Sequence, residues 1–311
     1  MKEIKSTAII GMGALGMLYA DKILAACEAD HSYAVTFAAE SDRVARYKTM
    51  AFTVNGQPRQ FPVTDCTACE PADLVIVAVK YNALSSALDT MARCIGPDTT
   101  IISVMNGITS EEIIGERYGS DKVIPCIAQG MDAVKFGGDL TYSKPGELRI
   151  GIKKAYAGTT SQSRLAALTR FLDHCGIAYT VEDDILYRLW GKFMLNVGIN
   201  QTCMAFETNY GGALAPGKTF DTMVGAMREV IALANAEGIL LTEADLDSYV
   251  ELIRTLSPEG MPSMRQDAIS HRLSEVEMFA GTVRSLAAKH SLPVPVNDWL
   301  YKKIKELEAA Y

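Results

Sequence analysis

The sequence predicts an α/β protein: a doubly wound, mainly parallel sheet followed by an all-helical C-terminal domain. Three observations carry that expectation. A β-type run ends at Ile10, Gly11, Gly13 and Gly16 follow directly, and a helical pattern begins at once. β-like and helical segments then alternate to about residue 160, the pattern of crossover-connected parallel strands. From Asp184 onward nearly every segment has helical spacing.

In order, the opening βα unit is followed by a strand over Tyr33–Ala38 and a charged helical stretch, Ser41–Tyr47. Phe52–Gln57 and Arg59–Val63 form an expected hairpin turning at Asn55-Gly56. Asp73–Val79 is continuous and β-branched, as a parallel strand buried on both faces should be. A helix over Ala83–Arg93, a strand over Thr100–Val104, a helix over Ser110–Tyr118 and a strand over Lys122–Ile127 continue the alternation. Helical spacing over Gln162–Cys175 and a last β-like piece, Ile177–Val181, close the first part. The helices expected after it are Asp184–Ala205, Phe220–Glu237, Glu243–Thr255, Ser263–Ser270, Ser274–His290 and Val296–Ala310, punctuated by Gly238, Pro258, Pro262, Pro293 and Pro295. The boundary falls near residue 178, giving domains 1–178 and 179–311.

Composition narrows the function. The 311 residues are 49% hydrophobic, enough for a large core. A net charge of −7 leaves no basic excess for nucleic acid. No apolar run approaches the roughly 18 residues that span a bilayer. The chain enters its first strand after a few charged residues, so no signal peptide is expected and the cytoplasm is the default location. The seven cysteines are scattered. Cys66 and Cys69 have C-x-x-C spacing, but no second such pair or paired-histidine motif accompanies them. Ordinary thiols in a loop or short strand, and no metal site, are expected.

Two features point to chemistry. Between a strand and a helix, G-x-G-x-x-G spacing is a dinucleotide fingerprint: Gly11 makes the tight turn, Gly13 admits the pyrophosphate, and Gly16 packs helix on strand. Anions are favoured at the helix N-terminus, which also brings in Met12, Ala14 and Leu15. The second feature is Trp190–Thr202, where Lys192, Asn196 and Asn200 recur every four residues on one helix face and Phe193, Met194, Leu195, Val197 and Ile199 cover most of the rest. An ammonium and two amides on a largely buried helix need partners or a cleft. A lysine partly withdrawn from water is a better proton donor near neutrality. Lys80 follows the Asp73–Val79 run, and Asn106-Gly107 follows the next strand. Pro262-Ser263-Met264-Arg265-Gln266-Asp267 leads towards Ser274-Glu275. Singly, each has a plain account as strand end, turn, helix cap or first-turn acid.

Together these elements resemble the ketopantoate reductase (2-dehydropantoate 2-reductase) family over nearly the full length. They are Gly11-x-Gly13-x-x-Gly16, Val79-Lys80, Asn106-Gly107, Lys192-x-x-x-Asn196-x-x-x-Asn200, Ser263-Met264-x-Gln266-Asp267, and Glu275 twelve residues after Ser263. The resemblance implies an N-terminal Rossmann domain, a C-terminal domain like that of 6-phosphogluconate dehydrogenase, and an active site between them. It implies that Lys192 protonates the ketone oxygen while hydride arrives from the nicotinamide, and that Glu275 holds Lys192. By the same resemblance Asn196, Asn200 and Ser263 bind the substrate, Asn106 touches both nicotinamide and substrate, and Lys80 lines the cofactor cleft. The implied product is pantoate, on the route to pantothenate and coenzyme A. The partners it implies are a small 2-keto acid and a second copy of the chain in a homodimer, with no nucleic acid or membrane.

Two positions depart from the family pattern. Met105 stands where Gln usually precedes Asn-Gly, and Glu40 stands where Arg usually faces the 2′-phosphate of NADPH. An acid about 20 residues beyond the glycines favours the 2′-hydroxyl of NAD, and Gly16 to Glu40 is 24 residues. NADP is the expected cofactor from the family, with NAD allowed by Glu40 and with Arg43 able to rescue phosphate binding. The alternatives are a paralogous reductase of another 2-keto acid and a non-catalytic dinucleotide sensor. Cofactor binding alone would not require Lys192 and Glu275, which argues against the sensor.

Overall fold

The computed structural model describes residues 3–153 and 158–311. The chain divides into two compact units, Met1–Ile185 and Leu186–Tyr311.

The first unit runs β1 (Ser6–Ile10), α1 (Ala14–Ala29), β2 (Ala34–Ala39), α2 (Ser41–Thr49), β3 (Phe52–Val54), β4 (Gln57–Arg59), β5 (Val63–Asp65) and β6 (Leu74–Val77). It continues with α3 (Leu84–Met91), β7 (Thr100–Ser103), α4 (Ser110–Tyr118), β8 (Cys126–Met131), β9 (Val134–Phe136), β10 (Asp139–Thr141), β11 (Pro145–Ile150), α5 (Thr159–His174) and β12 (Tyr179–Val181). The central sheet has the order β5-β2-β1-β6-β7, and every pairing in it is parallel. Its strand order reverses at β1, the topological switch point where such sheets bind ligands outside their carboxyl ends.

Strand periodicity sorts the core into two layers. Ile9, Leu74, Ile76 and Ile102 pack with Met17 of α1 and Leu168 and Phe171 of α5. Ile10, Val75, Val77 and Ile101 pack with Leu84, Leu88 and Met91 of α3 and Ile114 of α4. Covering both faces is why Leu74–Val77 carries no polar residue. The Asp73 carboxylate, accepting from Lys5 N and Ser6 N at 3.0 Å each and from Ser6 Oγ at 2.9 Å, ties β1 to the start of β6.

The sequence-based elements hold for β1, β2, α2, β7 and α4 to within two residues at each end. Three differ. The Asn55-Gly56 turn is present, with φ of 50° and 78° as a two-residue hairpin requires. Its second strand ends at Arg59, however, and Val63–Asp65 instead pairs in parallel with β2. Pro62 has no N–H to extend a hairpin ladder, and its carbonyl accepts from Phe37 N at the entry to the β2–β5 pairing. In the Lys122–Ile127 segment only Val123 bridges the central sheet; Cys126–Met131 belongs to a separate sheet, antiparallel to β11. That sheet (β12-β11-β8) and a second small one (β4-β3-β10-β9) are additions to the expected fold.

All regular elements of the second unit are helical: α6 (Ile185–Ala205, mostly within it), α7 (Tyr210–Leu214), α8 (Lys218–Ala236), α9 (Glu243–Arg254), α10 (Ser263–Ile269), a π turn (Glu277–Gly281), α11 (Thr282–His290) and α12 (Pro295–Glu308). The short α7 was not expected, since glycines 211 and 212 disfavour helix; Asn209 caps it by accepting from Gly212 N at 2.9 Å. Helix α6 lies close against its neighbours. A Cβ on Gly198 would sit 2.5 Å from Met227 Cγ of α8, and one on Gly191 2.5 Å from the Tyr249 hydroxyl of α9. Buried Gln201 donates to Asn297 Oδ1 of α12 at 3.1 Å. No helix among the described residues is long and apolar enough to cross a membrane.

Candidate active site

In an all-parallel sheet the loops after every strand emerge at one edge. Gly11–Gly16 follows β1, Glu40 follows β2, Lys80 lies three residues beyond β6, and Asn106 lies three beyond β7. All the cofactor candidates therefore gather at the carboxyl edge, around the switch point. Lys80 and Asn106 sit further from their strands than the sequence suggests, because β6 ends at Val77 and β7 at Ser103. Lys80 precedes a 3-10 turn and is exposed, while Asn106 is half-buried.

Each fingerprint glycine has its own steric reason. Gly11 has φ +106°, and a Cβ there would lie 2.5 Å from Ala78 O. A Cβ on Gly16 would lie 2.0 Å from Gly11 O. At Gly13 it would meet only Ala78 O, at 3.7 Å, so protein packing leaves that position open to a close approach from outside. Gly13 is also the N-cap of α1, whose first turn holds no acid and offers free N–H groups and a positive dipole end. These features fit a pyrophosphate. Met12, 7% exposed, packs in the core, and Ala14 and Leu15 pack partly against it, which leaves their backbones for the cofactor. Gly16→Ala forces backbone apart, and we expect it to lower stability by about 3 kcal/mol or more; an unchanged melting temperature would contradict that.

A recess at the glycine loop is lined by Gly11 and Met12, by Glu40, Arg43 and Tyr47 at and within α2, and by Ala83, Ser86 and Thr90 at and within α3. Glu40 and Arg43 thus line the same recess, both exposed. Ser86 and Thr90, a turn apart on α3, were not singled out from the sequence, where nothing distinguishes them from ordinary solvent-facing helix positions.

In the helical unit, Lys192 and Asn196 are half-buried on the face of α6 that also carries Leu195, while Asn200, one turn on, is 5% exposed. The Asn200 amide is oriented by its neighbours. Its Oδ1 accepts from Ser263 Oγ at 3.2 Å and from Met264 N at 3.3 Å, and its Nδ2 donates to Asn196 Oδ1 at 3.3 Å. This joins the amide row of α6 to the start of α10, with Ser263 exposed beside it. Glu275 is half-buried at the start of the segment expected as one helix, Ser274–His290. That helix is interrupted: a π turn, marked by Gly281 N donating to Val276 O at 3.0 Å, precedes α11. Val276, Met278, Phe279, Ala280, Thr282 and Val283 are all buried, more than one α-helical stripe can face inward, and the wider turn accommodates them. Phe279 packs on Phe193, next to Lys192, with ring centroids 6.4 Å apart.

Cys66–Ala68 forms a 3-10 turn rather than a loop or strand. Burial pushes the Cys66 and Cys69 thiols up, away from the reactive thiolate.

A parallel sheet with a glycine loop at its switch point, followed along the chain by a helical unit bearing a lysine–amide row, fits an NAD(P)-dependent oxidoreductase, and the family models agree. The ketopantoate reductase PanE/ApbA family model matches residues 7–154, and the family's C-terminal model matches 184–308. A 2-dehydropantoate 2-reductase of Aquifex aeolicus is 26% identical over 96% of both chains. Among solved structures, a PanE/ApbA family ketopantoate reductase from Ralstonia eutropha superposes with a TM-score of 0.82 at 22% identity, covering 98% of this chain and 99% of that one. D-mandelate dehydrogenase with NADH and anilino(oxo)acetate gives 0.82 at 20%, with the same coverage. A dimeric ketopantoate reductase from Staphylococcus aureus gives 0.77 at 21%, again over 98% and 99%. The chain belongs to the ketopantoate reductase family.

Proposed function

We propose that this protein reduces ketopantoate to pantoate, with NADPH as the preferred reductant. The observation that supports it most is the bonded set Asn196–Asn200–Ser263, one helical turn from Lys192 on α6. The bound dinucleotide supplies a hydride to the substrate's C2. Lys192 delivers the proton to the ketone oxygen, so that a carbonyl becomes an alcohol without a free alkoxide. Glu275 holds the ammonium in place. Asn196 and Ser263 offer neutral donors to the carboxylate and hydroxyl of the substrate, and Asn200 keeps Ser263 and Asn196 aligned. Asn106 contacts nicotinamide and substrate from the sheet side, and Lys80 lines the dinucleotide's path. Arg43 is the cation for a 2′-phosphate, with Glu40 opposing it. The domains 1–178 and 179–311 divide these tasks between cofactor and substrate. We further infer a homodimer, as named for the Staphylococcus aureus relative, working in the cytoplasm.

A second reading keeps the lysine and amides but changes the acid: a paralogue acting on another 2-keto acid. D-mandelate dehydrogenase superposes as well as the Ralstonia eutropha protein does, so the scaffold itself does not select between them. Steady-state kinetics on ketopantoate and a panel of 2-keto acids, with NADPH and NADH in parallel, separate the two. The proposal expects the highest kcat/KM on ketopantoate, at least about tenfold above the next acid, which is 1.4 kcal/mol of transition-state preference. A higher value on an acid without the 4-hydroxyl selects the paralogue.

A further inference from the structure

The loop that carries Asn106 rests on a buried carboxyl group for which the reaction has no use. Glu111, the second residue of α4, is 4% exposed. Its neighbour Glu112 stands in the same first turn but in water. A carboxylate serving only the helix dipole has no need of burial, and burying one is costly unless it is hydrogen-bonded. The bonds are there. Ser110 Oγ donates to Glu111 Oε2 at 2.9 Å, lies 2.8 Å from Ser103 Oγ, and Ser103 Oγ accepts from Met105 N–H at 3.4 Å. Both serines are buried, at 2% and 0% exposure.

Burial pushes the Glu111 carboxyl above the usual carboxylate range, so its bond from Ser110 matters to keeping it in place. Ser110 is thus the link between the Glu111 carboxyl and Ser103. Ser110 Oγ is placed to donate to Glu111 Oε2 and to Ser103 Oγ, and Ser103 Oγ accepts from the Met105 N–H. This series of bonds ends on the backbone one residue before Asn106. Beyond it the loop turns at Gly107, with φ +88°, and Met105 is itself buried in the core layer of α3 and α4.

We propose that Glu111 is a positioning residue: through Ser110 and Ser103 it fixes the backbone of Met105-Asn106-Gly107, and so the direction in which Asn106 is presented. The inference rests on the role given to Asn106 under the proposed function.

The test uses the full chain and the variants Ser110→Ala, Glu111→Ala and Glu111→Gln. In hydrogen–deuterium exchange, residues 104–108 should exchange faster in Ser110→Ala and Glu111→Ala. Glu111→Gln, whose amide oxygen still accepts from Ser110, should stay near wild type. Unchanged protection in Ser110→Ala overturns the proposal, whatever the protein reduces. In the kinetic arm, Ser110→Ala should lower kcat on ketopantoate by about ten- to a hundredfold, the scale of a slightly misplaced contact, with KM for NADPH within about twofold. Adding Asn106→Ala should then cost no more than Asn106→Ala alone. Additive losses would mean that Ser110 and Glu111 do not act through Asn106, and would also overturn it. Should Glu111→Ala fail to fold, Ser110→Ala decides alone. A wild-type protein inactive on ketopantoate would contradict the proposed substrate, and the exchange measurement would still decide the positioning role.

Discussion

Replacing Lys192 with alanine should lower kcat by about 10²–10⁴-fold, the range expected when a positioned general acid is removed. Hydride addition to C2 leaves negative charge on the ketone oxygen, and without a proton donor that charge must be met by water. Lys192 is half-buried on the lysine–amide line of α6, the helix that α8, α9 and α12 hold at Gly198, Gly191 and Gln201. The truncation removes the ammonium and leaves those contacts in place. Dinucleotide affinity should change little, because the fingerprint loop belongs to the other unit. Glu275→Ala should also slow turnover, and the double variant should lose less than the product of the two single losses if the pair acts as a unit. Near-normal turnover of Lys192→Ala, measured at saturating substrate and cofactor, would show that the proton comes from elsewhere.

The second large effect is a change of cofactor preference. Glu40 and Arg43 both line the recess that Gly11 and Met12 also line, one at the N-cap position of α2 and the other in its first turn. A carboxylate there accepts a hydrogen bond from a ribose 2′-hydroxyl and repels a 2′-phosphate, while a guanidinium does the reverse. Glu40→Arg should raise kcat/KM for NADPH relative to NADH by about tenfold or more, or 1.4 kcal/mol. Arg43→Ala should move the ratio the other way. If the wild-type enzyme strongly prefers NADPH and Glu40→Arg leaves the ratio unchanged, Glu40 is a bystander and the phosphate rests on Arg43 alone.

What the sequence reveals follows from how local each cause is. The three glycines are legible because the clashes at Gly11 and Gly16 arise within one strand–turn–helix and its neighbouring strand. The Lys192–Asn196–Asn200 row is legible because a helix places every fourth residue on one face. The two small sheets are not. Their strands are short, Val134 and Phe136 of β9 are exposed, and β10 pairs with β3 across some 86 residues of chain. No alternating pattern announces such strands. The bond from Ser263 to Asn200 likewise spans 63 residues, and spacing alone says nothing of it; only the family resemblance brought the two together beforehand. The π turn after Glu275 answers to how many side chains must be buried against neighbouring helices, and that is settled by packing rather than by local propensity.

The proposed function stands on hydride transfer from a nicotinamide to C2 of ketopantoate. The most direct test supplies wild-type protein with ketopantoate and NADPH carrying deuterium at both positions of nicotinamide C4, and examines the product by proton NMR and mass spectrometry. The pantoate formed should carry one deuterium at C2 and show no proton signal at that carbon, with one dinucleotide oxidised per pantoate. Unreacted ketopantoate, or pantoate with only protium at C2, would contradict it.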